Sequence, residues 1–566
     1  MSLSIGSAVG ATGRWLRSRV PRRNTVRQDL VAGVPGAISS VPDGMAASLL
    51  TGVNPVHGLY ASVFGPVGGG LTASTRLMVI TTTSASALAA GSAVHAFAPE
   101  ARARAVILLT VIAGILMVLA GIFRFGRYTR FVPHSVMIGF LSGVAVNIVL
   151  GQLPAFFGAS VSGPYALAKA WNLVTNPSLI DLGTTLAGAT ALILLILLAR
   201  TRIAPYSSLI ALLIPSVAVA IWGSDAIKLV SDVGEIPVGL PLPTLPHLAD
   251  LTLPLLVGAF SVAALVLIQG AGVSEAAPNP DLTRSNPNQD FIAEGVGNLV
   301  AGVFRGQPVG GSVGQTAINV SAGARDRWAS IFSGLWLAVI LVALSGVVGK
   351  VVMSTLAAVL IYAAVGSLRT GSIRAILRTG RLSQIGVIST FVATLFLPVA
   401  AAVGFGLVLA LVMQINQEAI DLRIVELVPD DAGRFTERPA PTQLASRAVV
   451  LLDIYGSLFY AGARTLQAHL PDVTGAEHPA VVIRLRGRAM LGSTSFAVLS
   501  DYAQRLDSVG GRMYVSGLDP AVLQQLRRNR TVERVGDVRI FEATEVIGES
   551  SLEAYHAAQA WIDGLD

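Results

Sequence analysis

The run Gln307-Pro308-Val309-Gly310-Gly311-Ser312-Val313-Gly314-Gln315-Thr316-Ala317-Ile318-Asn319 reads as an irregular strand breaking into a helix, inside a long apolar region. Pro308 lacks a backbone donor, and the glycines let the main chain pass close to another group. A helix that begins at membrane depth points unpaired N–H groups and a positive dipole end into whatever cavity it meets. That arrangement holds an anion without a full positive charge. The expected donors are the N–H groups of Gly310, Gly311 and Ser312, with the Gln315 amide beside them. A glycine-rich packing kink would also explain this run taken alone. A second run of the same kind, Thr75 to Ala90, places Thr81, Thr82, Thr83 and Ser84 before small helix formers. Thr82 and Thr83 are its candidate ligand donors, although threonines also bond back to their own helix.

Asp43 follows Pro42 in an otherwise uncharged apolar segment. A carboxylate at the bilayer centre costs about 2.5–3.5 kcal/mol on insertion scales. Asp43 is therefore the leading candidate for carrying a coupling proton; capping a broken helix is the alternative. Glu275 is a second coupling candidate. It follows Gln269 by six positions, about 120° round a helix, and its place near Pro278 suits a rim residue equally well. Asp290 and Glu294 fall in the first turns of a helix, where acids favour the dipole and a structural role suffices. His57, His95 and His134 sit at segment ends and read as anchors. No spacing of metal ligands, phosphate-loop motif or nucleophile elbow is present, and no cofactor is expected.

The elements that carry these residues are membrane spans. The chain has 566 residues, 53% hydrophobic and only 13% charged, and apolar runs of span length recur from Leu30 to Glu418. Fourteen spans in two sets of seven fit these runs, and the short ones at 77–93 and 309–322 must be half-helices. Two interrupted segments in corresponding places point to an inverted-repeat transporter with its site between them. The formal charge of +7 is distributed as a topology signal, not a nucleic-acid footprint. Arg14, Arg17, Arg19, Arg22, Arg23 and Arg27 precede the first span. Arg124, Arg127 and Arg130, Arg200 and Arg202, Arg325 and Arg327, and Arg369, Arg374, Arg378 and Arg381 fall in alternate loops. Both termini are accordingly placed in the cytoplasm. No cysteine is present, so thiol chemistry does not arise. The scarcity of lysine (Lys169, Lys228, Lys350) suggests a bacterial genome and hence the inner membrane. After Leu422 strand-like runs at 449–454, 480–485, 512–517 and 539–541 alternate with helical patterns, which predicts a small α/β domain. The expected organisation is a basic N-terminus at 1–28, a transport domain at 29–422, a linker at 423–444 and the α/β domain at 445–566.

Several motifs carry a family resemblance. Asp29-Leu30-Val31-Ala32-Gly33 leads into Val41-Pro42-Asp43-Gly44-Met45-Ala46, followed by Pro55-Val56-His57-Gly58-Leu59-Tyr60-Ala61. Glu294-Gly295-Val296-Gly297-Asn298, Pro308-Val309-Gly310-Gly311-Ser312 and Gln315-Thr316-Ala317-Ile318-Asn319 come next, and Ser457-Leu458-Phe459-Tyr460-Ala461 with Leu491-Gly492-Ser493-Thr494 close the series. The chain resembles the SulP anion transporters, bacterial relatives of solute carrier family 26, with a C-terminal STAS domain. The resemblance implies a seven-plus-seven inverted repeat divided into core and gate domains, elevator-type movement and a homodimer. It also implies substrate binding between the third and tenth half-helices, beside the first and eighth spans. The chain departs from the family pattern at Gln315 (often Arg), Gln269 (often Asp or Glu), Asp43 (often Gln) and Gly492 (usually Asp). Gln269 thereby joins the candidate substrate-binding residues, and Ser493 or Thr494 matches the serine phosphorylated in anti-anti-sigma relatives.

The function expected is secondary transport of a small inorganic or carboxylate anion such as sulfate, bicarbonate or fumarate, coupled to protons in preference to sodium. An exchanger or uncoupled anion pathway would not need Asp43. A membrane-anchored STAS signalling protein is the reading from a different class, against which the interrupted spans argue.

Overall fold

The structure, a computed structural model, describes residues 20, 21 and 25–565 apart from 128–132, 162, 164, 202, 223–226, 233–238, 398, 421, 431, 459, 489 and 530–537. Arg14, Arg17, Arg19, Arg22, Arg23, Arg130 and Arg202 lie outside the described residues. The chain forms two compact units, one ending at Ala410 and the other beginning at Leu411.

The first unit opens with α1 (Val26–Thr51), α2 (Val56–Thr72), β1 (Ile80–Thr82), α3 (Ser84–Val94) and α4 (Pro99–Ile122). It continues with α5 (His134–Phe156), α6 (Ala166–Thr175), α7 (Leu182–Leu198) and α8 (Ser207–Trp222). The same order then recurs. Its first half is α9 (Leu253–Ala276), α10 (Pro287–Val303), β2 (Val309–Gly311), α11 (Val313–Ser321) and α12 (Trp328–Val348). Its second half is α13 (Met353–Ser367), α14 (Thr370–Thr379), α15 (Arg381–Phe396) and α16 (Val399–Ile420), the last continuing past Ala410 into the second unit. Every apolar segment expected from the sequence coincides with one of these helices, and the two short ones are a strand followed by a half-helix. Length and hydropathy alone would have found four crossings among the described residues, namely Pro99–Ile122, His134–Phe156, Leu253–Ser274 and Met353–Thr379. The sequence reading missed α6 and α14, which are too short to cross a bilayer.

The two repeats meet at β1 and β2. These strands pair antiparallel, with Ile80 opposite Gly311, Thr81 opposite Gly310 and Thr82 opposite Val309. All six residues are buried. Extended backbone at this depth has no water to bond, so each repeat supplies the ladder partner of the other. Inversion of one repeat relative to the other makes that pairing antiparallel.

The second unit contains β3 (Arg423–Pro429), β4 (Phe435–Pro439), β5 (Val449–Tyr455), α17 (Tyr460–His469) and β6 (Ala480–Arg484). It ends with α18 (Ser493–Ser508), β7 (Arg512–Leu518), α19 (Pro520–Asn529), β8 (Val538–Glu542) and α20 (Glu549–Asp563). The sheet order is β4-β3-β5-β6-β7-β8, parallel from β5 to β8. Period-two alternation builds its two faces. Val481 and Ile483 pack with Phe496 and Tyr502, whereas Val482 packs with Leu451, Ala554 and Ala558. The segment 423–444, expected as a linker, is corrected by this sheet: β3 runs antiparallel to β5, and β4 to β3. Its charged residues misled the reading. Arg438 and Glu426 stand opposite each other on a half-solvated edge pair, where polar side chains do not exclude a strand. Ser493 is exposed at the first position of α18, after Gly492.

Candidate functional site

Both half-helices start in the same way. Thr83, in extended conformation, caps α3 by accepting the Ser86 N–H at 3.2 Å. Ser312 caps α11 by accepting the Gln315 N–H at 3.3 Å. In each case the cap satisfies the third N–H of the helix. The first two, on Ser84 and Ala85 and on Val313 and Gly314, face no acceptor among the described residues. Val313 is 46% exposed, and a Cβ built on Gly314 would meet nothing within 4 Å. The positive end of α11 therefore opens onto free space.

This geometry corrects the expected donors. The Gly311 N–H donates to Glu294 Oε1 at 3.0 Å, and the Ser312 N–H donates to the Val79 carbonyl at 2.9 Å. Gly310 lies opposite Thr81 within the ladder. None of the three amides is left for a ligand, because β2 is embedded between β1 and α10. The glycines serve close packing instead: a Cβ on Gly310 would sit 2.8 Å from Val266, and one on Gly311 would sit 3.1 Å from the Gly270 Cα. Both neighbours belong to α9.

Thr82 is also occupied, its hydroxyl lying 3.0 Å from Ser62 Oγ. Gln269 Oε1 stands 3.5 Å from Thr83 Oγ1, so α9 meets the start of α3 there. The same glutamine lines an apolar cavity of about 40 Å³ with Val136, Met137, Phe140, Leu265 and Val403. Glu275 lies in the last turn of α9, and its side chain falls outside the described residues.

Asp43 is the acid that reaches the half-helix. Gln315 Nε2 donates to Asp43 Oδ2 at 2.7 Å, while Ser39 Oγ donates to Gln315 Oε1 at 3.1 Å. Ser39 and Asp43 are four residues apart on α1, hence on one face. They hold both ends of the Gln315 amide, which is 3% exposed. A carboxyl group is thereby fixed beside the first turn of α11, at the dipole end that favours negative charge.

Three further residues form the frame. Asp290, Glu294 and Asn298 recur every four positions, a polar stripe on one face of α10. Asp290 accepts the N–H groups of Ser74 and Thr75 at 2.7 and 3.0 Å, pinning the turn before β1. Asn298 accepts the Val309 N–H at 3.0 Å and donates to the Val309 carbonyl at 2.8 Å. The four-residue spacing was visible in the sequence, but not that one stripe would hold both interrupted segments. Asp29 plays a related part for α12, accepting the N–H groups of Arg325 and Asp326 at 2.8 and 3.1 Å. Asn298→Leu removes both bonds to Val309 and leaves two buried backbone groups unpaired, at about 1–3 kcal/mol each. The variant should melt several degrees below the wild type; an unchanged melting temperature in detergent would remove Asn298 from the frame.

Comparison with known proteins agrees with this architecture. Residues 26–393 match the model of the Sulfate permease family, and residues 441–545 match the STAS domain. A probable sulfate transporter of Mycobacterium tuberculosis (strain ATCC 25618 / H37Rv) is 25% identical over 529 residues, covering 92% of this chain and 94% of its own. The bicarbonate transporter BicA of Synechocystis sp. (strain ATCC 27184 / PCC 6803 / Kazusa) is 23% identical over 534 residues, covering 91% and 92%. Among solved structures, the murine Solute Carrier 26 family member A9 anion transporter in the inward-facing state superposes with a TM-score of 0.82 at 18% identity. It covers 99% of this chain and 96% of its own. An inverted pair of membrane repeats meeting at two half-helices, followed by an α/β unit, is thus the fold of this lineage, and the chain belongs to the Sulfate permease family of membrane anion transporters, with a C-terminal STAS domain.

Proposed function

We propose that the protein is a secondary active transporter that carries a small anion together with a proton across a bacterial inner membrane, both termini lying in the cytoplasm. The observation that carries this reading is the Asp43 carboxyl held at the open first turn of α11. Each helix N-terminus contributes roughly half an elementary charge, so α3 and α11 together offer about one positive charge. Ionised Asp43 cancels it and leaves nothing to attract an anion. Protonated Asp43 restores it, and the donors on Ser84, Ala85, Val313 and Gly314 then face the substrate. Anion and proton thus enter together or not at all. Gln269 adds a neutral amide from α9. Sodium coupling is not needed by this scheme, and among the described side chains beside the half-helices Asp290 and Glu294 are engaged in holding backbone.

Sulfate, bicarbonate or a dicarboxylate such as fumarate would suit such a site, and the names of the relatives favour sulfate or bicarbonate. The half-helices would move with α1, α2, α4 and α9–α12 as a core past a gate built from α5, α7, α8, α13, α15 and α16, in a homodimer. Uptake into proteoliposomes tests the scheme: labelled sulfate, bicarbonate and fumarate are offered with and without an inward proton gradient, and gradient-independent rates for all three would refute it. Gln315→Arg adds a fixed charge beside Asp43 and holds its carboxylate ionised. This variant should favour divalent over monovalent anions and lose most of the dependence of uptake on external pH. Uptake by Gln315→Arg that keeps the wild-type pH profile would contradict the assignment.

A further inference from the structure

We infer that α14 is a docking site for anionic phospholipid headgroups on the gate side of the transport unit. The helix joins α13 to α15, so connectivity places it at the membrane face where the two spans turn. Ile373 and Ile376 pack it onto Ile138 of α5 and Val387 of α15. Gln384 Nε2 donates to the Leu377 carbonyl at 2.8 Å and closes its last turn. The outer face carries Arg374 and Arg378, with Arg369 and Arg381 at the two ends, all four exposed. Among the described residues none of these guanidiniums has an ion pair or hydrogen bond. No Asp or Glu occurs anywhere from position 327 to 417 that could neutralise them. Leu377, 40% exposed, and Leu382, 36% exposed, stand beside the charges.

A short helix with one face buried in protein, exposed leucines and unpaired arginines lies in the interface plane and binds anionic lipid. The inverted repeat supplies an internal comparison. Its counterpart, α6, joins α5 to α7 in the same way, with Leu167, Trp171 and Val174 exposed but Lys169 as its one basic residue. The fold accounts for a helix at each place; inversion sets the two on opposite membrane faces, and the four arginines stand on the inner one, in keeping with the other basic inner loops. Unlike a positive loop that merely sets topology, this cluster is rigidly presented and fixed to two gate helices, so a bound headgroup would brace α5 against α15. The inference rests on the inner-face placement of α14 and not on the anion site.

The chain contains no cysteine, so Leu377→Cys provides a unique site for an environment-sensitive fluorophore. The labelled protein is reconstituted into equal mixtures of phosphatidylcholine and phosphatidylglycerol, with bromine on the chains of one lipid or the other. Brominated phosphatidylglycerol should quench several-fold more than brominated phosphatidylcholine, since each arginine near an anionic surface raises affinity by about fivefold. The preference should disappear when the four arginines become glutamine, and should shrink at high salt. A label at Val174→Cys on α6 should show no preference. Equal quenching by both lipids at position 377, or quenching by neither, overturns the inference. Loss of the preference on adding inorganic phosphate at millimolar level would overturn it too, by assigning the cluster to a soluble anion. Transport of labelled sulfate by the glutamine variant reports separately on the anion site.

Discussion

Asp43→Asn should abolish concentrative uptake while leaving the protein folded. An asparagine Oδ1 still accepts the Gln315 Nε2 proton, so the link from α1 to α11 survives. What disappears is the group that can be charged in one half-cycle and neutral in the other. With one proton per anion, a gradient of about one pH unit supports up to about tenfold accumulation. The variant should reach a ratio near one under the same gradient, yet still exchange labelled for unlabelled anion, because its site is permanently in the neutral form. Accumulation in Asp43→Asn matching the wild type would place the coupling proton elsewhere. Ser39→Ala separates positioning from titration. It frees one end of the Gln315 amide and should weaken anion affinity while keeping the dependence on the proton gradient.

Gly311→Val should cost stability before it costs binding. The Gly311 N–H was an expected ligand donor, but a Cβ here would press on Met78 Sδ at 3.0 Å, the Gly270 Cα at 3.1 Å and Glu294 Oε1 at 3.3 Å. Backbone cannot rotate away as a flexible side chain would, so α9 or β2 must shift. Overpacking of this kind costs about 1–3 kcal/mol. Displacing β2 also strains the Gly311–Glu294 bond, and an unpaired buried amide adds about 1–3 kcal/mol. The expected result is a lower melting temperature and poor recovery of monodisperse protein, with Gly311→Ala intermediate. A Gly311→Val protein that melts like the wild type but binds no anion would return the ligand to this glycine.

The comparison of sequence and structure divides along a physical line. Features set by local backbone preference were legible: Pro308 and the glycines interrupt a helix, small helix formers after Thr83 resume one, and apolar runs of span length need no partner to be recognised; that Thr83 and Ser312 cap these helices came from the structure. The second unit was legible wherever strands were buried on both faces, as at Val481-Val482-Ile483, and missed at β3 and β4, whose polar residues disguise them. The pairing of two interrupted segments announced an inverted repeat, because at membrane depth such backbone must be covered by something.

Which donors remain for a ligand was not legible, since that depends on groups of other elements that only the tertiary fold brings against them. The Gly311 amide looks free until Glu294 on α10 is brought against it. Thr82 looks like a ligand donor until α2 sets Ser62 beside it. Conversely, Asp43 and Gln315, 272 positions apart, read as two separate departures from a family pattern, yet they form one hydrogen-bonded unit. The sequence by itself determined the recurring order of apolar helices and the interruptions before α3 and α11, because these follow from residue type over a few turns. Only the tertiary structure decided which N–H groups stay open and which acid faces them, because every buried donor must find an acceptor, and the acceptors come from neighbouring helices of the same repeat, as for Gly311, as well as from the other repeat, as for Ser312.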